Sequence, residues 1–248
     1  MALIVEAVEA PRRQMLTGVA QYIQEHEPWA LYLKPARVQK SLDHWLRDWH
    51  GDGIIAAIDD PNSAVLLQKG MPIVDVAGSV PGINVPLVHA NDRSIGRLGA
   101  EHLLERGFRN FGFLVYPGEF WSEHRRDGFV EAVKSRGCEC YIYNMVPLPE
   151  SGGPLIWEQQ QQQLVKYIDS VPRPIGVMTS TDLLGQRFME ACLRAGVKVP
   201  EEIAVVGADN DEPICRVCSP PLSSVIINDH QRGYQAAAVL DRLMQGKP

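Results

Sequence analysis

Several signatures of membrane, catalytic and nucleic-acid-binding proteins are missing from the sequence. No apolar run reaches the roughly 18 residues that a transmembrane helix needs. The net charge is -6, so the chain has no basic excess with which to hold nucleic acid by itself. We find no P-loop, dinucleotide-binding glycine fingerprint, nucleophile elbow or metal-spaced histidine cluster. We therefore expect a binding protein without cofactor or metal, and not an enzyme.

Cysteine is scarce and odd in number, with five residues in 248. The first apolar segment, Ala2 to Val8, has no basic region before it, so we expect a strand and not a secretory signal. Together these features predict free thiols in the cytoplasm. Cys215 and Cys218 have the spacing of half a zinc or redox motif. A second Cys/His pair is missing, so packing is our interpretation and chemistry the alternative.

The segment from Ile175 to Asn210 has the pattern of one βαβ unit. Two apolar runs, each typical of a buried parallel strand, flank an amphipathic helix that Gly196 can end. Asp182 follows the first strand and Asp209 the second. Ligands of open α/β sheets bind beyond the carboxyl ends of the strands, so both carboxylates are candidates to accept hydrogen bonds from a polyhydroxylated ligand. For Asp182 a helix-capping role remains an equal alternative.

The alternation of strands and helices extends over the whole chain and occurs in two similar halves. It predicts an α/β fold of two doubly wound, parallel-sheet lobes around a cleft. We expect residues 1–117 and 229–248 to form the N-terminal lobe and residues 118–228 the C-terminal lobe.

Polar and aromatic residues near predicted strand ends are the candidate ligand contacts. For the charged residues of helix starts, an exposed surface role is the alternative, and for the tryptophan a packing role. The candidates are Glu9, Arg12, Asp59, Asp60, Arg125, Trp157, Asp182 and Asp209.

Four segments, in this order, resemble the effector-binding domains of the lac/gal-repressor family. They are Asn91 to Leu114, Arg125 to Phe129, Val199 to Asp209 and Pro221 to Val225. The resemblance covers nearly the whole chain. It implies a periplasmic-binding-protein-like fold of type I with a sugar effector in the cleft. It also implies that Arg125 and Asp209 bind sugar hydroxyls and that Trp157 stacks on the sugar ring.

The same resemblance carries expectations about partners. Similarity within the family is greatest to xylose-responsive members, which favours D-xylose as the effector and a homodimer as the assembly. The helix-turn-helix domain of such regulators has no counterpart in this chain, so we expect DNA binding only through an attached domain. A transport-type periplasmic sugar-binding protein is the alternative; it would carry a secretory signal and few free thiols.

Overall fold

The computed structural model describes most of the chain in six stretches. They are residues 2–4, 10–33, 50–58, 70–80, 82–146 and 154–247. The chain divides into two compact units, Met1–Ala90 with Asn228–Pro248, and Asn91–Ile227. Each unit has its own parallel sheet with helices, which confirms the predicted α/β fold of two parallel-sheet lobes.

Nine strands and seven helices lie in the described residues. The strands are β1 (Ala2–Ile4), β2 (Tyr32–Leu33), β3 (Ile54–Ala56), β4 (Ile73–Asp75), β5 (Asn110–Val115), β6 (Glu139–Asn144), β7 (Ile175–Thr179), β8 (Ile203–Ala208) and β9 (Ser223–Val225). The helices are α1 (Ala10–Glu25), α2 (Asp92–Glu105), α3 (Phe120–Lys134), α4 (Pro154–Ser170), α5 (Asp182–Arg194), α6 (Glu212–Val217) and α7 (Asp229–Met244).

The first unit is a four-stranded parallel sheet in the order β2-β1-β3-β4. Helices α1 and α7 pack against each other and bury an apolar core that includes Met15, Val19 and Leu240. The strands β3 and β4 are buried along their whole length. Such fully buried strands are typical of parallel sheets that are covered on both faces.

The second unit is a five-stranded parallel sheet in the order β6-β5-β7-β8-β9. Its inner strands β7 and β8 are fully buried, as their apolar sequences predict. Helix α5 lies between them in sequence, and Gly196, with φ = 68°, follows its C-cap as the βαβ pattern predicts. Because all five strands are parallel, their carboxyl ends lie at one edge of the sheet.

The structure places the division between the units earlier than the sequence boundary at residues 117/118. It lies at Ala90–Asn91, because β5 is hydrogen-bonded between β6 and β7 in the second sheet. Helix α2 also belongs to the second unit, where it packs along α3. The return to the first unit, at Ile227–Asn228, lies within one residue of the expected 228/229.

Neither a membrane span nor a metal cluster is found in the described part of the chain. No helix there combines the length and apolarity needed to cross a bilayer. No group of three or more His, Cys, Asp or Glu side chains is placed to hold a metal ion among these same residues. Cys215 and Cys218 are both buried as free thiols in the core of the second unit, and the Cys218 thiol donates to the carbonyl oxygen of Ile214.

Candidate functional site

A buried guanidinium lies at the carboxyl edge of the second sheet. Arg125, on helix α3, is only 6% exposed. Its Nε donates to Oδ1 of Asp92 at 2.9 Å, and its Nη1 donates to Oδ1 of Asp209 at 3.1 Å. Nη1 also donates to the carbonyl oxygen of Ser180 at 2.6 Å. Arg125 therefore joins the start of α2, the end of β8 and the segment after β7 at one point.

The charges around Arg125 explain how a cation is kept there. Burial alone lowers the pKa of Arg125, but the nearby carboxylates of Asp209 and Asp92 outweigh burial and raise it. A buried ion pair contributes little net stability, because desolvation offsets the attraction. One guanidinium between two carboxylates at the carboxyl edge of a parallel sheet is instead typical of a binding site.

The backbone around Asp209 is held in an unusual conformation. Asp209 has φ = 104° and Asn210 has φ = 51°, although neither is glycine. Such residues cost about 1–3 kcal/mol each and cluster at ligand sites. The loop is fixed where the Asp209 N–H donates to the carbonyl of Val225 (3.2 Å) and the Asn210 N–H donates to Oγ of Ser224 (2.9 Å). The strained loop thus presents the Asp209 carboxylate to Arg125.

Asp182, the other predicted carboxylate, is buried and acts on the backbone of the same loop. The N-cap of α5 is Thr181, whose Oγ1 accepts from the Leu184 N–H at 3.2 Å, so the capping role considered for Asp182 belongs to its neighbour. Oδ2 of Asp182 accepts from the Asp211 N–H at 2.7 Å. Burial raises the pKa of Asp182, while the Ser224 hydroxyl and the Asp211 N–H act in the opposite direction.

The two tryptophans of the second unit have different surroundings. The guanidinium of Arg125 lies over the ring of Trp121, 5.0 Å from its centroid. The ring of Trp157 instead contacts the guanidinium of Arg194, at 4.7 Å. Arg194 is the last residue of α5, whereas Asp182 is the first, and a helix of that length separates their Cα atoms by about 18 Å. The aromatic ring beside Arg125 is therefore Trp121.

The remaining predicted contacts belong to the first unit. Arg12 is half-buried in the first turns of α1. Glu9, Asp59 and Asp60 lie outside the described residues.

Sequence reasoning missed two members of this cluster, Asp92 and Trp121. Trp121 precedes Arg125 by four residues, a spacing that places two side chains on the same helix face. Asp92 follows Asn91, whose Oδ1 accepts from the Ser94 N–H at 3.0 Å as the N-cap of α2. Only the packing of α2 on α3 shows that Asp92 reaches Arg125.

Comparison with family models gives two matches that together span most of the chain. Residues 100–248 match the model of the periplasmic binding protein-like domain. Residues 1–86 match a model described as the XylR N-terminal domain.

Comparison with curated proteins and solved structures points the same way. The chain is 31% identical to the xylose operon regulatory protein of Haemophilus influenzae and 30% identical to that of Escherichia coli K12. These alignments cover 100% and 98% of this chain but 65% and 63% of the relatives, so the chain spans less than two thirds of their length. A solved structure of the xylose-binding transcription activator XylR superposes with a TM-score of 0.81 at 27% identity, over 100% of this chain and 63% of that one.

Proposed function

This chain belongs to the family of periplasmic binding protein-like domains, and on that premise we propose that it is the sugar-sensing effector-binding domain of a bacterial transcription regulator. The effector is a monosaccharide, with D-xylose favoured. The relatives that are 30–31% identical are xylose operon regulatory proteins, which supports this choice. DNA binding then resides in an attached helix-turn-helix domain.

The cluster around Arg125 is the observation that carries the proposal. Within the described residues its hydrogen bonds are donated by Nε and Nη1, so Nη2 is left for a ligand. The carboxylate of Asp209 accepts from sugar hydroxyls, while Nη2 donates to them. The ring of Trp121 can cover the apolar C–H face of a pyranose. Donor, acceptor and apolar face are the three elements that recognition of a monosaccharide requires.

Sugar binding acts as a switch in this proposal. A ligand shifts a conformational equilibrium only by the difference of its affinity for the two states. A tenfold difference in affinity shifts the equilibrium by about 1.4 kcal/mol, and a hundredfold difference shifts it by about twice that. The regulator works as a cytoplasmic homodimer, in which the sugar-bound state favours one arrangement of the attached DNA-binding domains. The sugar is bound and released without being converted.

A sugar panel tests the proposed function. The chain is titrated calorimetrically with D-xylose, D-glucose, L-arabinose and D-ribose, and the xylose is afterwards recovered and examined by NMR. Saturable binding of D-xylose, with the sugar recovered unchanged, is expected. Saturable binding of a different panel sugar would retain the sensor and replace the effector. Turnover of the sugar, or the absence of binding to all four by the folded chain, would contradict the proposal.

A further inference from the structure

Asp182 is buried at the start of α5, but its hydrogen bond with the Asp211 N–H runs to the backbone of a neighbouring loop and not toward Arg125. The side chain is 1% exposed, so little of it is available to a ligand. Arg125 donates to Asp92, Ser180 and Asp209 but not to Asp182 within the described residues. The hydrogen bonds of Asp182 and Arg125 thus both reach the loop 209–211, at Asp211 and at Asp209.

That loop needs an anchor because its conformation is unfavourable. Two successive residues, Asp209 and Asn210, have positive φ without being glycine. Two of the three consecutive N–H groups donate to residues of β9, and the third, from Asp211, donates to the carboxylate of Asp182. A hydrogen bond to an ionised acceptor is roughly twice as strong as one between neutral groups. The Asp182 contact, at 2.7 Å, is also the shortest of the three.

A glycine in strand β8 leaves room for the Asp182 carboxylate. Gly207 lies on β8, and a Cβ at that position would overlap Oδ1 of Asp182. The φ of Gly207 is not positive, so its lack of a side chain is explained by this close approach and not by backbone conformation. The Asp182 carboxylate therefore occupies the space that a side chain at Gly207 would need.

We propose that Asp182 is a positioning residue for sugar binding, which holds the backbone of residues 209–211 so that the Asp209 carboxylate faces the sugar beside Arg125. It does not touch the sugar. This inference rests on the proposed function, because it assigns to Asp182 a share of the affinity that Asp209 supplies.

A double-mutant cycle separates positioning from direct contact. Affinity for D-xylose is measured for the unmodified chain, Asp182→Ala, Asp209→Asn and the double variant. If Asp182 acts only through Asp209, Asp182→Ala weakens binding about tenfold in the unmodified chain and less than about twofold in Asp209→Asn. If Asp182 touches the sugar, the two losses are independent and multiply. Equal losses in both backgrounds would overturn the inference, as would no loss at all.

Further variants guard against a general folding defect. In Asp182→Asn the side-chain oxygen can still accept from the Asp211 N–H, so affinity is expected within about threefold of the unmodified chain. Gly207→Ala displaces the carboxylate and is expected to reproduce the loss of Asp182→Ala. Glu212→Ala, at an exposed side chain just after the loop, serves as the matched control, with less than about a twofold change in affinity. A large loss in that control would contradict the positioning role.

Amide hydrogen exchange gives a readout that is independent of the sugar. In Asp182→Ala the Asp211 amide loses its acceptor, so its exchange is expected to quicken at least about tenfold, while amides in the middle of β7 keep their rates. Unchanged exchange at Asp211 would overturn the anchor. Absence of xylose binding by the unmodified chain would instead refute the proposed function, and the positioning role with it.

Discussion

Two helix pairs, α1–α7 in the first unit and α2–α3 in the second, pack through reciprocal glycine contacts. In the second unit a Cβ at Gly96 would overlap the carbonyl oxygen of Arg125, and a Cβ at Gly128 would overlap that of Arg93. The first unit shows the same arrangement. There a Cβ at Gly233 would overlap the carbonyl oxygen of Met15, and a Cβ at Gly18 would overlap that of His230. In both helix pairs the backbones of the two helices are therefore in close contact.

The first residues of α2 and α7 also match each other. Helix α2 begins with Asn91-Asp92 and helix α7 with Asn228-Asp229, and in each the asparagine is the N-cap. Both aspartates are buried, and in each helix a packing glycine lies five residues after the asparagine. The two units therefore use one helix-pair design twice.

The difference lies in the side chain that precedes the glycine of the partner helix by three residues. In the second unit this residue is Arg125, which crosses to Asp92 on α2. In the first unit it is Met15, a core residue, and Asp229 pairs with Arg232 of its own helix at 2.8 Å. Close helix packing consequently does not require a buried arginine. Arg125 is better explained by binding than by the scaffold.

The largest expected effect comes from making the second unit resemble the first. Arg125→Met removes the cation between Asp92 and Asp209, and removing one partner of a buried ion pair costs about 3–5 kcal/mol. Xylose affinity is expected to fall more than about a hundredfold. Urea denaturation and calorimetric titration measure the two effects.

A compensated variant separates stability from binding in that experiment. Adding Asp92→Asn and Asp209→Asn to Arg125→Met removes the uncompensated charges, so stability is expected to recover while binding does not. Arg126→Met, at a half-exposed neighbour, is the control and is expected to change stability by less than about 1 kcal/mol. Xylose binding by the compensated variant would show that Arg125 is part of the scaffold.

The glycine contacts predict an intermediate and equal effect in both units. Gly128→Ala and Gly233→Ala each force a Cβ into a carbonyl of the partner helix, at a cost of about 1–3 kcal/mol in the free energy of unfolding. Gly185→Ala is the comparison, because its Cβ would meet side-chain atoms of Leu222 and Thr179 and no backbone atom. Thermal unfolding measures all three. A destabilisation confined to one unit's glycine would break the correspondence between the helix pairs.

The two tryptophans of the second unit are expected to differ in their contribution to xylose affinity. Trp121→Ala is expected to weaken xylose binding about tenfold, because it removes the ring beside Arg125. Trp157→Ala is expected to change affinity by less than about twofold, because its ring contacts Arg194 at the other end of α5. Calorimetric titration of both variants decides between them. The reverse order of effects would restore Trp157 as the stacking residue.

The smallest expected effect on stability comes from the hydrogen bond between Tyr22 on α1 and Asp241 on α7. The Tyr22 hydroxyl donates to Oδ2 of Asp241 at 2.9 Å, so Tyr22→Phe is expected to cost about 1 kcal/mol. Burial and Asp241 raise the pKa of Tyr22 from 10.0 to about 12. The folded state therefore holds the proton more tightly, and this stabilisation is present below pH 10 and lost as the pH rises toward 12. Urea denaturation at several alkaline pH values should show a smaller loss in the variant than in the unmodified chain, because both keep Tyr167, whose pKa burial also raises.

Much of the fold could be predicted from the sequence because its signals are local. The apolar runs of β7 and β8 and the amphipathic helix between them gave the βαβ unit around Asp182 and Asp209. The unit boundary was harder to predict, because β5 looks alike whether it ends one lobe or begins the next. Only its hydrogen bonds to β6 and β7 assign it to the second sheet.

Two members of the cluster around Arg125 could be predicted from the sequence for the same reason. Asp209 and Arg125 lie in motifs that a sequence displays, at a strand end and in a helix start. Asp92 enters the site through the close packing of α2 on α3, which depends on Gly96 and Gly128, residues 32 positions apart in the chain. Whether Asp182 faces a ligand or a backbone N–H depends on a loop conformation with two positive φ angles, which no periodicity encodes.

Calorimetric titration of D-xylose into the unmodified chain and into Asp209→Asn, side by side with Asp127→Asn, tests the central claim most directly. We expect saturable binding by the unmodified chain and by Asp127→Asn, whose substitution lies in a surface ion pair with Arg93. We expect affinity to fall at least about tenfold in Asp209→Asn, which keeps the shape of the side chain but removes the charge that Arg125 contacts. Equal affinities for all three proteins would contradict the assignment of this cluster as the sugar site.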